Sequence, residues 1–141
     1  MGKRRKAREL AIQVLFHMEF NPGDPDEIFN FMSEHFNPSE TIRAFSRTLV
    51  LGVCQNKAYL DELIRQASMN WRLERMARVD RCILRLGAFE MVFIKEIPPK
   101  VSIDESVELG KLYGTEDSGA FINGVLDNIF NQLEQEDRLS K

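Results

Sequence analysis

Apolar residues recur at helical spacing along almost the whole chain, and this periodicity constrains the fold more than any other feature. Near the amino end the apolar positions follow an i, i+3, i+4, i+7 pattern and are Ala7, Leu10, Ala11, Val14, Leu15 and Met18. Such a stripe covers one face of an α-helix, whereas a half-buried strand would show a period of two. The sequence contains no long period-two alternation and no Asn-Gly hairpin between β-branched runs. The pattern therefore predicts an all-α fold.

Breaker residues divide the periodic sequence into seven predicted helices. The cluster Asn21–Pro25 ends the first helix, Asn37-Pro38 ends the second, and Pro98-Pro99 ends the fifth. A turn or a short helical connection is expected over residues 68–76. The fifth segment, from Met76 to Ile94, is apolar around much of its girth, which is typical of a helix with neighbours on several sides.

Glycine and serine positions lead to local expectations. Ser102–Glu105 matches a capping box, which predicts a helix start there. Gly114 suits the left-handed position just after that helix. Gly124 lies inside the last helix, where glycine costs about 1 kcal/mol relative to alanine, so we expect a tight helix crossing to compensate. Gly52 is expected to interrupt the third helix.

Length and composition restrict the class of protein. A chain of 141 residues with 43% hydrophobic residues can form one domain, since most domains contain roughly 100–150 residues. Cys54 and Cys82 are too few for a disulfide framework and are expected to be structural thiols in a reducing compartment. No apolar run approaches the ~18 residues of a membrane span, and no signal-like segment follows the charged start. We expect a soluble, cytoplasmic protein.

No set of catalytic or metal-binding side chains is recognisable in the sequence. His17 and His35 are the only imidazoles, and neither belongs to a His-Glu-x-x-His pattern or to a Cys/His cluster. The sequence lacks a Gly-x-Ser-x-Gly elbow, a Gly-x-Gly-x-x-Gly loop and a Walker-type loop. We therefore expect no enzyme activity, no catalytic residue, no metal site and no cofactor.

Positive charge is concentrated at the amino end. The net charge is −3, yet the first eight residues contain no acid and five basic residues, namely Lys3, Arg4, Arg5, Lys6 and Arg8. We call residues 3–8 the basic arm. On a helix Arg4 and Arg8 share one face, and such a ridge can follow phosphates while guanidinium planes stack on unpaired bases. The alternative is a solvated charge run that only aids solubility, and charge alone does not separate the two interpretations.

Two further groups of residues leave alternatives open. A second basic group comprises Arg72, Arg75, Arg78, Arg81 and Arg85, with Glu74 and Asp80 among them. Because this group carries both signs of charge, salt bridges or a protein interface are favoured over nucleic acid. Phe16 and Phe20 lie off the main stripe of the first helix, and a place at the edge of the core is favoured over a docking surface.

Several ordered blocks of the sequence resemble the transcription antitermination factor NusB family. The resemblance spans nearly the whole chain and is weakest in residues 21–45 and after Asn131. The blocks are Arg4–Phe16, Trp71, Val79–Leu86 with Glu90, Pro98, Val101–Lys111, Tyr113–Ser118 and Phe121–Asp127. Their order along the chain is far more specific than any short motif.

The resemblance implies a bundle of two helical subdomains, with helices 1–3 in residues 1–54, helices 4–7 in residues 55–135 and a tail at 136–141. It implies a factor that binds single-stranded boxA RNA of ribosomal RNA operons as a heterodimer with the ribosomal protein NusE. Contact with the RNA polymerase elongation complex would be indirect, and no membrane is involved. A homodimer is possible when the partner is absent, because an apolar partner surface can pair with itself.

The resemblance also implies which residues make the contacts. The RNA-binding positions would be Lys3, Arg4, Arg5, Lys6, Arg8, Asp117, Ser118, Phe121 and Asn123. The partner-binding positions would be Phe16, Glu74, Arg75 and Asp80. If the five arm cations each neutralise a phosphate, log K should fall with log salt at a slope of roughly −3.5 for single-stranded RNA.

Two departures from the family pattern bear on these contacts. Ala120 stands where many relatives carry lysine, which removes one phosphate contact. Phe16 lacks the hydroxyl of the tyrosine that some relatives carry. The same helical fold also resembles the accessory domain of certain ribosomal-RNA cytosine methyltransferases, which would need a further Rossmann-like domain for catalysis. A self-associating helical module is the other alternative.

Overall fold

The computed structural model describes residues 2–69 and 71–136, and the regular structure in these ranges is entirely helical. A short 3-10 helix, Leu73–Arg75, connects the fourth and fifth α-helices. The helices are α1 Lys3–Phe20, α2 Pro25–Phe36, α3 Glu40–Gln55, α4 Lys57–Ala67, α5 Arg78–Phe93, α6 Pro99–Tyr113 and α7 Ser118–Gln135. The prediction of an all-α fold with seven helices is confirmed. Beyond Glu136, the predicted tail lies outside the described residues.

The chain forms two compact units, Met1–Gln55 with α1–α3 and Asn56–Lys141 with α4–α7. In the first unit α1 packs mainly on α3, and α2 contacts both. In the second unit α5 contacts α4, α6 and α7, and residues 82–91 are all buried. The prediction that the fifth helix has neighbours on several sides is therefore confirmed.

The predicted breaker residues have defined roles at the ends of α2 and α3. Asp24 precedes α2, and its Oδ2 accepts a hydrogen bond from the Glu27 amide at 3.0 Å. Asn37 ends α2 in the left-handed conformation with φ 43°, a region that asparagine tolerates better than most residues. Ser39 Oγ then accepts from the Ile42 amide at 3.4 Å, as expected of the residue that caps α3.

The capping box predicted at Ser102–Glu105 is wrong. Helix α6 begins at Pro99, a residue suited to the first helical position because it has no amide hydrogen to satisfy. Ser102 therefore lies inside the helix, where its buried hydroxyl donates to Glu90 Oε1 of α5 at 2.9 Å. The left-handed assignment of Gly114 is also wrong, because its φ is −98°. A Cβ at Gly114 would lie 2.9 Å from the Gly110 carbonyl oxygen, so a residue with a side chain would clash with the backbone at this position.

The two other glycine expectations are also wrong. Helix α3 continues through Gly52 without a break. Gly124 faces open space, since a Cβ there would meet nothing within 4 Å. The close approaches occur elsewhere: a Cβ at Gly87 would lie 2.6 Å from Ser106 Oγ, and one at Gly110 would lie 2.7 Å from Ile122 Cδ1. Glycine identity alone does not tell which face of a helix meets a neighbour.

A buried ion pair joins α5 to α4. Arg85 Nε donates to Asp61 Oδ1 at 2.7 Å, and a second guanidinium nitrogen donates to Asp61 Oδ2 at 3.2 Å. This geometry confirms the salt-bridge interpretation for one member of the second basic group. Cys82 is buried, as expected of a structural thiol, whereas Cys54 is only half-buried.

Candidate nucleic-acid interface

The basic arm forms the first turns of α1. The helix begins at Lys3, Gly2 offers no side chain to cap it, and its first turn contains no acidic residue. Lys3, Arg4 and Lys6 are exposed, and Arg5 is half-buried. Cations at the amino end of a helix face the positive end of its dipole, which disfavours them. The charge of the arm is therefore not explained by the stability of α1.

Arg8 differs from the rest of the arm. Arg8 shares one face of α1 with Arg4, as expected, but the residue is only 4% exposed. The guanidinium carbon of Arg8 lies 6.0 Å from the centroid of the Phe45 ring on α3, and that of Arg4 lies 5.2 Å from the same centroid. The arm thus consists of three exposed cations, Lys3, Arg4 and Lys6, the half-buried Arg5 and the buried Arg8.

A cleft of about 440 Å³ opens beside the arm within the first unit. Lys6 lines it together with Gln13, the exposed ring of Phe36 and the residues that join α2 to α3. Phe36 was not predicted as a surface residue, because its position at the end of an apolar helix also fits the core. Its place directly before Asn37-Pro38 was the signal that could have marked it.

The predicted RNA-binding residues at the start of α7 have unequal access to solvent. Asp117 and Asn123 are exposed and Phe121 is half-buried. Ser118 is buried, and its Oγ accepts from the Thr115 amide at 2.9 Å. Its hydroxyl therefore holds the turn before α7 in place.

A second cleft, of about 240 Å³, brings two predicted groups together in the second unit. Its lining includes Asp117, Ser118 and Phe121 from the predicted RNA-binding set and Arg75 and Asp80 from the predicted partner-binding set. Trp71 also lines this cleft, is 57% exposed and meets the Phe121 ring edge-on at 6.0 Å between centroids. Trp71 was not predicted as a site residue. Its aromatic side chain lies in a polar connection between helices, and this was the sequence feature that could have indicated a binding role.

The predicted partner-binding residues show two kinds of environment. Glu74 and Arg75 are exposed. Asp80 is 9% exposed, and its Oδ1 is buried without a hydrogen-bond partner among the described residues. Such an oxygen is costly to bury, whereas the place of Asp80 in the first turn of α5 favours its negative charge.

Phe16 and Phe20 form an exposed aromatic pair on α1. Their exposed fractions are 38% and 55%, and their ring centroids lie 5.3 Å apart in an edge-to-face arrangement. This exposure favours a docking surface over the edge of the core.

In the described part of the chain, clusters of metal ligands or membrane-spanning helices would indicate further functions. No group of three or more His, Cys, Asp or Glu side chains there could hold a metal ion. Within the same ranges, no helix combines the length and the apolar character needed to cross a lipid bilayer.

Comparison with known proteins gives one consistent family. Residues 5–131 match the NusB family. The chain is 50% identical over 131 residues to the transcription antitermination protein NusB of Desulforapulum autotrophicum, covering 92% of each chain. The solved structure of T. maritima NusB superposes with a TM-score of 0.82 at 36% identity, covering 92% of this chain and 91% of that one. A structure of the antitermination factors NusB and NusE in complex with double-stranded RNA gives a TM-score of 0.85 at 29% identity, covering 92% and 97%.

Proposed function

The chain belongs to the NusB family, and we propose that it is a transcription antitermination factor that binds single-stranded boxA RNA of ribosomal RNA operons together with the ribosomal protein NusE. The observation that carries this proposal is the group of exposed cations on the first turns of α1. In this role the protein is a binding factor without catalysis. It works in the bacterial cytoplasm, where nascent ribosomal RNA is made.

The chemistry of the arm supports RNA as the ligand. Lys3, Arg4 and Lys6 are exposed in the first turn of α1, where the helix dipole disfavours their positive charge. Phosphates are the ligands that clustered lysine and arginine side chains bind best, and unpaired bases stack on aromatic rings and guanidinium planes. In the second unit, the Trp71 and Phe121 rings offer such stacking faces.

Charge and exposed aromatic surface support a protein partner. Glu74 and Arg75 present opposite charges beside the cleft of the second unit, which suits a specific protein contact. The exposed Phe16–Phe20 pair offers apolar area of the kind that interface centres use. The related NusB that was solved with NusE and RNA supports the identity of both partners.

The RNA proposal is tested by measuring boxA RNA binding with NusE present and absent at several salt concentrations. Because Arg8 is buried, four arm cations remain to neutralise phosphates, and the slope of log K against log salt should be about −2.8 rather than −3.5. Replacing Lys3, Arg4 and Lys6 by glutamine should reduce this slope by about 2. Trimming the first eight residues is a poorer test, since it also removes the buried Ala7 and Arg8.

A matched control carries the same change of charge elsewhere. Lys57, Lys95 and Lys100 are exposed residues of the second unit, and their triple glutamine variant should bind RNA with the wild-type slope. Equal affinity and slope for the arm variant and the wild type would contradict the proposal.

The exposed Phe16–Phe20 pair also favours self-association when NusE is absent. Sedimentation of the protein alone should then show a dimer that NusE converts to a heterodimer. A protein that stays monomeric at all concentrations would exclude this second role.

A further inference from the structure

We propose that Phe45 is a positioning residue for the RNA-binding arm. Its ring on α3 holds the guanidinium groups of Arg4 and Arg8, so that Arg4 meets a phosphate in an orientation that is already fixed. This inference rests on the proposed RNA-binding function of the arm.

The geometry places one ring against two cations. Arg4 and Arg8 are one helical turn apart on α1, which packs on α3 in the first unit. Their guanidinium carbons lie 5.2 Å and 6.0 Å from the Phe45 centroid, inside and at the outer limit of the range for cation–π attraction. Phe45 is half-buried, Arg8 is buried and Arg4 is exposed. The ring therefore lies at the boundary between the core and the proposed RNA surface.

The negative face of the ring offsets an unfavourable feature of the arm. Like charges four residues apart on a helix repel each other, and Arg4 also lies in the first turn of α1, next to the positive end of the helix dipole. An aromatic face attracts cations through its quadrupole, which neither leucine nor alanine can do. Phe45 thus adds attraction for both guanidinium groups at a place where like charge opposes their proximity.

Holding Arg4 before RNA arrives lowers the entropic cost of binding. Arginine has many rotamers, and fixing such a side chain at an interface costs free energy. A side chain that is already ordered by a ring has less freedom to lose, while the outward edge of its guanidinium can still donate to a phosphate. Arg8 is buried and therefore makes no contact of its own with RNA.

The test compares Phe45→Leu with Phe45→Tyr in boxA RNA binding by the NusE-bound protein. Leucine keeps an apolar side chain at this position but removes the π face, and we expect about two- to fivefold weaker RNA binding, the fold-change that corresponds to an exposed cation–π contact. Tyrosine retains the face and should keep wild-type affinity. Phe31→Leu, at an exposed phenylalanine on α2 that meets His35 instead of an arginine, is the matched control and should also bind normally.

A double-mutant cycle with Arg4→Gln separates positioning from a general effect on folding. If Phe45 acts through Arg4, Phe45→Leu should have little further effect on RNA affinity once Arg4 is glutamine. Fully additive losses in the cycle, or loss of affinity in Phe45→Tyr as large as in Phe45→Leu, would overturn the inference. Normal affinity of Phe45→Leu alongside weakened Arg4→Gln would overturn it while leaving the RNA-binding function intact. Unchanged affinity of Arg4→Gln would instead contradict the role of the arm itself.

Discussion

At the scale of single residues, two ion pairs show how burial changes the value of a charge. Arg47 and Asp26 pair at 2.9 Å on the surface of the first unit, with side chains about half exposed. Hydrogen bonding to Arg47 lowers the pKa of Asp26. The pair therefore contributes fully to folding stability at pH values above the ordinary pKa of a carboxyl group, and this contribution is lost only as the pH falls through the lowered pKa. Water screens such a pair. The Arg85–Asp61 pair is buried, so neither charge has water to replace its partner.

Asp61→Asn should therefore destabilise the second unit strongly. The substitution keeps the shape of the side chain but removes the carboxylate that accepts two hydrogen bonds from the buried Arg85 guanidinium, and breaking a buried ion pair typically costs about 3–5 kcal/mol. Urea unfolding measures the loss. Asp26→Asn removes the same charge from the exposed pair and should change the free energy of unfolding little. Similar unfolding curves for the two variants would show that burial does not decide the difference.

At the scale of elements, the helices are fixed by local signals but their contacts are not. Asp24, Pro25 and Asn37 set the ends of α2 through capping, a fixed φ and a left-handed turn. The crossing of α5 with its neighbours depends instead on Gly87, where a Cβ would lie 2.6 Å from Ser106 Oγ and 2.8 Å from Leu126 Cδ1. Both obstructing residues are buried and have little room to move.

Alanine at two glycines should have opposite effects on stability. Gly87→Ala should cost about 1–3 kcal/mol, because overpacking forces buried neighbours to shift. Gly124→Ala enters open space within α7 and should stabilise the protein by up to about 1 kcal/mol, since alanine favours the helix. Thermal or urea unfolding of the two variants checks both signs. A stabilised Gly87→Ala would mean that this helix contact adjusts more easily than the structure indicates.

At the scale of the whole molecule, each unit carries its own candidate surface. The first unit has the basic arm, the Phe45 ring and the exposed Phe16–Phe20 pair. The second unit has the cleft where predicted RNA-binding and partner-binding residues meet. Asp80 in that cleft is nine-tenths buried, so reversing its charge would disturb folding as well as partner binding. Glu74 is exposed and is the better residue for testing the partner surface.

Glu74→Arg should weaken binding to NusE without loss of stability. A charge at the rim of an interface acts mainly on the association rate, and we expect about two- to tenfold slower association at low salt. The association rate is measured by binding to immobilised NusE or by stopped-flow mixing. Glu134→Arg makes the same change at an exposed position of α7 and serves as the control. If both variants associate equally fast, Glu74 does not belong to the partner surface.

The amino-acid sequence alone was enough to predict the class of fold, the number of helices, the neighbours of α5 on several sides and the concentration of charge in the arm. These follow from periodicity, breaker residues and local charge, which act over a few residues and can be read along the chain. Three features became visible only once the helices were packed: Arg8 is buried, Phe45 lies against two arginines, and Gly87 is crowded while Gly124 is open. Such features depend on contacts between segments far apart in sequence, since the neighbours that crowd a glycine or cover an arginine come from other helices.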